Sequence, residues 1–130
     1  MVGPKSRVFF SGDTGCLEAF KEIGSGLGPF DLTLVNIDSY GEHWPYVHLT
    51  PEQALDTHLD LRGAVICPIH WGTFSLALHP WDEPIERFVA AATTRGVNFV
   101  VPKLGQVTDT SDLPKLEYWW RGPQVITELK

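Results

Sequence analysis

The sequence is poor in several features that define whole classes of protein. Its 130 residues include only two cysteines, Cys16 and Cys67, which are too few for a disulfide-stapled scaffold. Ten lysines and arginines face 16 aspartates and glutamates, so the net charge is −6, and the basic residues form no cluster. Because nucleic-acid binding needs grouped positive charge, we expect no nucleic-acid partner. The longest purely apolar run, residues 88–92, is too short for a transmembrane segment.

The cysteines and the N-terminus also bear on location. Cys16 and Cys67 both lie among apolar neighbours, and we interpret them as buried, reduced side chains. The N-terminus lacks the apolar core of a signal peptide. These features predict a cytoplasmic protein. A catalytic thiol at Cys67, three residues before His70, is an alternative that the sequence leaves open.

The chain length fits one domain, residues 1–130, and its hydrophobic pattern predicts alternating strands and helices. Apolar runs rich in β-branched residues predict strands at residues 7–11, 31–37, 64–69 and 98–101. Helical spacing predicts helices that begin near residues 17, 51 and 84 and end at glycines 24, 63 and 96. This alternation is typical of a layered α/β fold.

The second and third helices carry the clearest signals. Thr50 with Gln53 forms a capping-box pattern around Pro51, a residue favoured at the first helical position. The apolar stripe predicted for the second helix is Ala54, Leu55 and Leu59. The apolar stripe predicted for the third helix is Ile85, Phe88, Val89 and Ala92.

Two residues able to bind a metal follow predicted strands. Asp13 comes after the first strand, and His70 comes directly after residues 64–69. Sites in α/β sheets form at the carboxyl ends of strands, so these two side chains could meet there. Carboxylate and imidazole are both zinc ligands. Asp13 could equally be a turn or helix-capping residue, and His70 a hydrogen-bonded structural histidine.

The remaining histidines have weaker signals. His48 lies in a loop beside a helix start, and His58 lies on the second helix, where it could pack or face solvent. His43 and His79 are predicted to be surface loop residues.

Two segments make the chain similar to a known family. Residues 10–15, Phe-Ser-Gly-Asp-Thr-Gly, resemble the strand-then-Asp motif of metallo-β-lactamase-fold hydrolases. Residues 69–74, Ile-His-Trp-Gly-Thr-Phe, resemble a segment of the branch that contains N-acylphosphatidylethanolamine phospholipase D and its RomA-like and lactonase-like relatives. Residues 48–54, which contain a Pro-Glu-Gln-Ala stretch, agree with the same branch. The resemblance covers roughly residues 7–105.

The resemblance implies zinc as a cofactor and a role for each matching residue. Asp13 would bridge two zinc ions, and His70 would be a terminal ligand of one of them. His48 would lie near the metals on the substrate side, so that His48 and Asp13 are the implied catalytic residues. Trp71 and Thr73 would shape the wall of the site. We also predict a substrate contact from Tyr40, an aromatic residue of the loop at 38–49.

One departure from the family changes what this chain is expected to do. The family's first ligand cluster, His-x-His-x-Asp-His, is absent from the sequence. The implied fold is a four-layer αββα sandwich, of which this chain resembles the C-terminal half, with one mixed sheet and helices on one face. We therefore expect a partial zinc-dependent hydrolase, acting in its parent family on phosphodiester or lactone-type bonds and inactive alone.

Half of such a sandwich exposes a sheet face that the other half would cover. Large exposed apolar surfaces are interfaces or liabilities. We expect either self-association through this face or pairing with a missing N-terminal half. An alternative function follows, a non-catalytic α/β module that self-associates and binds a partner or small ligand.

Overall fold

The computed structural model describes residues 1, 3–74 and 76–122, in which strands and helices alternate. The strands are β1 (Val8–Phe10), β2 (Phe30–Asn36) and β3 (Gly63–Ile69). The α-helices are α1 (Ala19–Leu27), α2 (Pro51–Asp60) and α3 (Glu83–Arg95). The predicted α/β class is confirmed. Within these described ranges, no helix has both the length and the apolar character needed to cross a membrane.

The three strands form one sheet in the order β1-β2-β3. Both pairings are parallel, and Leu32 of β2 pairs with Val8 on one side and Val65 on the other. The sheet therefore differs from the mixed one predicted, because a helix crosses back over the sheet between successive strands. The strand predicted at residues 98–101 is reduced to a single parallel bridge between Ile66 and Phe99.

Two groups of buried side chains hold the helices against one face of the sheet. The larger group joins α2 and α3 to β2 and β3. It contains all four predicted apolar positions of α3, which are Ile85, Phe88, Val89 and Ala92. The smaller group consists of Phe20, Phe30 and Leu61 and joins α1 to the start of β2. The prediction of helices on one face is confirmed.

The start of α2 follows the sequence prediction in atomic detail. The backbone N–H of Gln53 donates to Thr50 Oγ1 at 3.2 Å, and the backbone N–H of Thr50 donates to Gln53 Oε1 at 2.9 Å. This reciprocal cap satisfies amide groups that the first helical turn leaves free. The predicted apolar stripe is partly wrong, because Leu59 is exposed and His58 is buried instead.

The cysteines differ from the prediction that both are buried. Cys16 is exposed, and Cys67 in β3 is half-buried. Burial raises the pKa of the Cys67 thiol to about 11, so this thiol stays protonated at neutral pH. Because the thiolate is the nucleophile, the arrangement argues against a catalytic role for Cys67.

Helix α1 continues past Gly24, where the sequence predicts its end, and finishes at Leu27, with Gly28 as its C-cap. Gly24 has a packing role instead, because it lies in close contact with the end of α2. A Cβ atom on Gly24 would lie 2.0 Å from the backbone oxygen of Asp60, so no other residue fits without movement. A Cβ atom on Gly26, two residues later, would meet nothing within 4 Å.

We expect Gly24→Ala to lower the free energy of unfolding by about 1–3 kcal/mol, because the added methyl group overpacks the contact between α1 and α2. The matched control is Gly26→Ala, which should raise it by up to about 1 kcal/mol through helix propensity alone. Urea denaturation of both variants measures the difference. Equal effects of the two substitutions would show that α1 does not approach α2 this closely.

His58 is a buried neutral histidine held by one hydrogen bond. The residue is 2% exposed, and its Nδ1 lies 2.7 Å from Thr33 Oγ1 on β2. Gly63 leaves room for the ring, since a Cβ there would lie 2.4 Å from Nδ1. Burial disfavours the charged ring and lowers the pKa of His58 from 6.5 to about 4.

We expect stability to fall as pH drops below the ordinary histidine pKa. The unfolded chain binds a proton on His58 near pH 6.5, whereas the folded chain binds it only near pH 4. The resulting loss should reach about 2 kcal/mol between about pH 7.5 and about pH 5. Urea denaturation across this range checks it, with His58→Gln as the non-titrating control. A control with the same pH slope would contradict the assignment.

Candidate metal centre

The parallel sheet brings the two predicted metal ligands together. Asp13 follows β1, His70 follows β3, and His70 Nε2 lies 3.3 Å from Asp13 Oδ1. His48, in the loop before α2, joins them, with Nε2 at 4.0 Å from Asp13 Oδ2. One ligand atom from each of the three residues lies within 4.8 Å of the others. The structure thus adds His48 to the predicted pair.

The backbone at His70 has an uncommon conformation. Its φ angle is +62°, in the left-handed region that non-glycine residues seldom adopt. Gly72, two residues later, also has a positive φ of +75°. Such strain persists only where the surrounding structure imposes it, and it is concentrated at functional sites.

His48 directs an unpaired nitrogen towards the cluster. Its Nδ1 lies 2.9 Å from the Ser39 carbonyl oxygen. Because a carbonyl only accepts, Nδ1 must carry the proton, which leaves a lone pair on Nε2 when the ring is neutral. This Nε2 is buried, and no described residue hydrogen-bonds to it. A buried polar atom without a partner is costly, so the site fits a bound ion.

The donor set also fits a transition metal. Two imidazole nitrogens and one carboxylate are typical zinc ligands, and three protein ligands leave a fourth position open, as in catalytic zinc sites. The side chain of Asp13 is 62% exposed, so the open position is accessible from solvent.

A cavity of about 660 Å³ lies on the His48 side of the cluster, between the loop after β2 and the start of α3. This volume is in the usual range for small-molecule sites. Tyr40, predicted to contact substrate, lines it. Its hydroxyl donates to Glu83 at 2.7 Å and accepts from Arg87 at 2.9 Å, which fixes the ring. Burial is the main cause of a raised Tyr40 pKa, so the phenol stays protonated.

The other two predicted substrate residues lie at a different hollow. Trp71 and Thr73 line a smaller hollow of about 220 Å³ together with His70. The Trp71 ring also packs against Trp119 and Trp120, with ring centroids 5.3 and 5.7 Å away. The cluster therefore adjoins two hollows, one at His48 and one at His70, and the predicted substrate residues are divided between them.

Three neighbours of the cluster are not among the site residues that the sequence pattern predicts: Asp38 and Ser39, which are buried, and His79, which is partly buried. His79 is predicted as a surface residue, which is wrong, because its side chain is only 9% exposed and its Nε2 lies 3.3 Å from Asp38 Oδ1. Asp38 follows β2 at the same sheet edge as Asp13 and His70. The strand-end rule applied to those two residues points to Asp38 as well.

Comparison with known proteins gives the family. A family model described as "Beta-lactamase superfamily domain" matches residues 1–71, which contain all three strands and His70. The chain belongs to the metallo-β-lactamase superfamily. An uncharacterized protein of Mycobacterium tuberculosis is 47% identical over 123 residues, which cover 92% of this chain and 33% of that protein. The predicted resemblance is confirmed.

Two further superfamily relatives have descriptive names. The N-acyl-phosphatidylethanolamine-hydrolyzing phospholipase D 1 of Caenorhabditis elegans is 34% identical, with coverage of 86% of this chain and 34% of that protein. Outer membrane protein RomA of Klebsiella pneumoniae is 35% identical over 71 residues, 55% of this chain and 54% of that protein. The chain spans about a third of the length of the mycobacterial and nematode relatives.

A solved structure confirms the fold. Igni18, described as a novel metallo hydrolase from the archaeon Ignicoccus hospitalis, superposes with a TM-score of 0.53 at 23% sequence identity. The match covers 73% of this chain and 37% of that one. The architecture described here is therefore part of a metallo-β-lactamase fold.

Proposed function

We propose that this chain is a partial zinc-dependent hydrolase in which Asp13, His48 and His70 hold the ion. The observation that carries the proposal is the convergence of one oxygen and two nitrogen atoms within 4.8 Å at the edge of the sheet. Membership of a family that contains metal-dependent hydrolases supports it. Zinc bound there would lower the pKa of a water molecule and polarise the scissile bond.

The residues of the chain would bind the cation, accept a proton and contact the substrate. Asp13 supplies the negative charge that holds the cation, and its exposure leaves the cluster open to a substrate. His48 presents an unprotonated Nε2 that can bind the ion or accept a proton. Tyr40 stands in the larger cavity, where it can contact the organic part of a substrate. The name of the nematode relative supports a phosphodiester substrate, and a lactone-type ester is the second possibility.

We further propose that the chain alone binds zinc without turning over substrate. The His-x-His-x-Asp-His cluster is missing, so a second ion would have Asp13 as its one shared ligand from this chain. A pair of metals that clamps both the attacking and the leaving oxygen is then incomplete.

We expect about one zinc ion per chain and no hydrolysis of bis(p-nitrophenyl) phosphate or of a simple lactone. His48→Ala and His70→Ala should each weaken zinc binding at least about tenfold, because each removes one of three ligands. Isothermal titration calorimetry with zinc alone measures the affinity, and absorbance at neutral pH measures turnover.

The matched control is His43→Ala, which removes an exposed histidine outside the cluster and should bind zinc like the unmodified chain. Loss of binding in this control, or equal binding in all three variants, would contradict the assigned ligands. Rapid turnover by the zinc-loaded chain would contradict its inactivity.

A second candidate function is supported by the face of the sheet opposite the helices. Register places Phe10, Leu34 and Cys67 side by side on this face, and none belongs to either buried group. Phe10 is 62% exposed. Leu34 and Cys67 beside it are half-buried, and a partly exposed apolar row of this kind fits an interface. We propose that a second copy of the chain covers it, or else an N-terminal half of the family type, and that the module works by binding.

We expect the chain to form dimers at micromolar concentration and Phe10→Asp to dissociate them, because a charge would then be buried in the interface. Leu104→Asp is the matched control, since Leu104 is almost fully exposed and lies in the loop after α3. Size-exclusion chromatography with light scattering measures the mass. A monomeric unmodified chain would exclude self-association and leave the N-terminal half as the proposed cover.

We also propose a reducing location such as the cytoplasm. Both cysteines are free, and Cys16 is exposed. An exposed thiol persists in reduced form most readily where glutathione and thioredoxin act.

A further inference from the structure

We propose that Asp38 and His79 are positioning residues for His48. They act through the carbonyl group of Ser39, which fixes the proton of His48 on Nδ1 and so presents Nε2 to Asp13 and His70. The proposal concerns the orientation of His48 in the chain itself, and it rests on the proposed function only for its zinc readout.

The first step is the unusual backbone of Ser39. Its φ angle is +61°, a left-handed conformation that is unfavourable for a non-glycine residue. In this conformation the Ser39 carbonyl accepts hydrogen bonds from His48 Nδ1 and from Trp44 Nε1. The residue is buried, so neither hydrogen bond is easily replaced by water. The orientation of His48 therefore depends on whatever holds Ser39 in place.

The second step is the carboxylate of Asp38. Its Oδ1 accepts the backbone N–H of Ser39, so the side chain stabilises the left-handed turn directly. The Asp38 side chain is only 7% exposed, and the His79 ring lies against it, with Nε2 3.3 Å from the same oxygen. His79 Nε2 makes no hydrogen bond to a described residue, so this contact is one of packing. Asp38 and His79 thus pack together beside Ser39, and the Ser39 N–H donates to the carboxylate.

The third step is the placement of His79. Its Nδ1 lies 3.1 Å from the Pro80 carbonyl oxygen, so Nδ1 carries a proton, and the neutral ring turns the lone pair of Nε2 towards Asp38. The ring therefore covers the carboxylate without donating to it. The ring stacks on Tyr40, with centroids 4.4 Å apart and an interplanar angle of 20°. Tyr40 is in turn fixed by Glu83 and Arg87. The position of the pair is therefore set by α3 and by two loops.

These contacts determine the tautomer of His48 and the basicity of its Nε2. A partner that accepts the distal N–H of a histidine fixes its tautomer and increases the basicity of the nitrogen that faces a metal. In this chain the direct partner is the Ser39 carbonyl, which Asp38 holds in place through the Ser39 N–H, while His79 covers Asp38. Removing such a supporting group typically weakens metal binding 10–100-fold.

The tautomer can be measured without metal. Long-range ¹H–¹⁵N correlation spectra of the zinc-free chain, at about pH 8 where imidazole is ordinarily neutral, distinguish Nδ1–H from Nε2–H. We expect His48 to be protonated on Nδ1 in the unmodified chain. We expect Asp38→Ala to give a mixture of tautomers and zinc binding weaker by about 10–100-fold.

Two variants separate positioning from simple loss of structure. Asp38→Asn keeps the oxygen that accepts the Ser39 N–H, so it should restore the Nδ1–H tautomer and most of the zinc affinity. His79→Ala opens the Asp38 carboxylate to water, which competes with its hydrogen bond to Ser39, so it should shift the tautomer in the same direction as Asp38→Ala. Asp56→Ala removes an exposed carboxylate that pairs with Arg95 away from the cluster, and it should change neither readout.

Each outcome is decisive. An Nε2–H tautomer in the unmodified chain would overturn the proposal whatever the variants do. A folded Asp38→Ala or His79→Ala variant with an unchanged tautomer would also overturn it, and His79→Ala decides the matter if Asp38→Ala does not fold. If the tautomers shift as expected but the unmodified chain binds no zinc, the positioning role stands and the proposed function fails.

Discussion

The parallel pairing of β1, β2 and β3 is the constraint on which the rest of the structure depends. Parallel strands need a crossover after each strand, and here α1 and α2 supply the two crossovers on the same face. All three carboxyl ends consequently meet at one edge of the sheet. Asp13, Asp38 and His70 follow these ends in turn. The position of the candidate centre is thus set by the strand order and the parallel pairing of the sheet.

Features governed by neighbours in sequence could be predicted, and features governed by neighbours in space could not. The cap of α2 and the apolar face of α3 depend on spacings of three or four residues, which the sequence displays directly. The contact of Gly24 with Asp60 depends on how two helices cross, so the sequence pattern predicts a helix end at a glycine that in fact permits close packing. The same limit explains why Leu59, predicted in the apolar stripe of α2, is exposed, while the neighbouring His58 is buried.

The candidate site shows the same division. Asp13 and His70 could be paired from the sequence because a general rule places active groups at strand ends. The pair Asp38 and His79 is separated by 41 residues, and no spacing rule connects a strand end to the middle of a long loop. Asp13 and Phe10 are each 62% exposed and lie three residues apart, so any occupant of the open sheet face would also approach the ion site.

The glycine in the middle of α1 has a consequence for how the domain assembles. Gly24, Ser25 and Gly26 occupy three of the nine helical positions, and all are weak helix formers. A nine-residue segment of that composition lies well below the length at which isolated helices persist in water. The helical conformation of α1 therefore depends on its packing against the end of α2. We therefore expect the β2–α2–β3 unit to form first and α1 to become helical only when it packs against the end of α2.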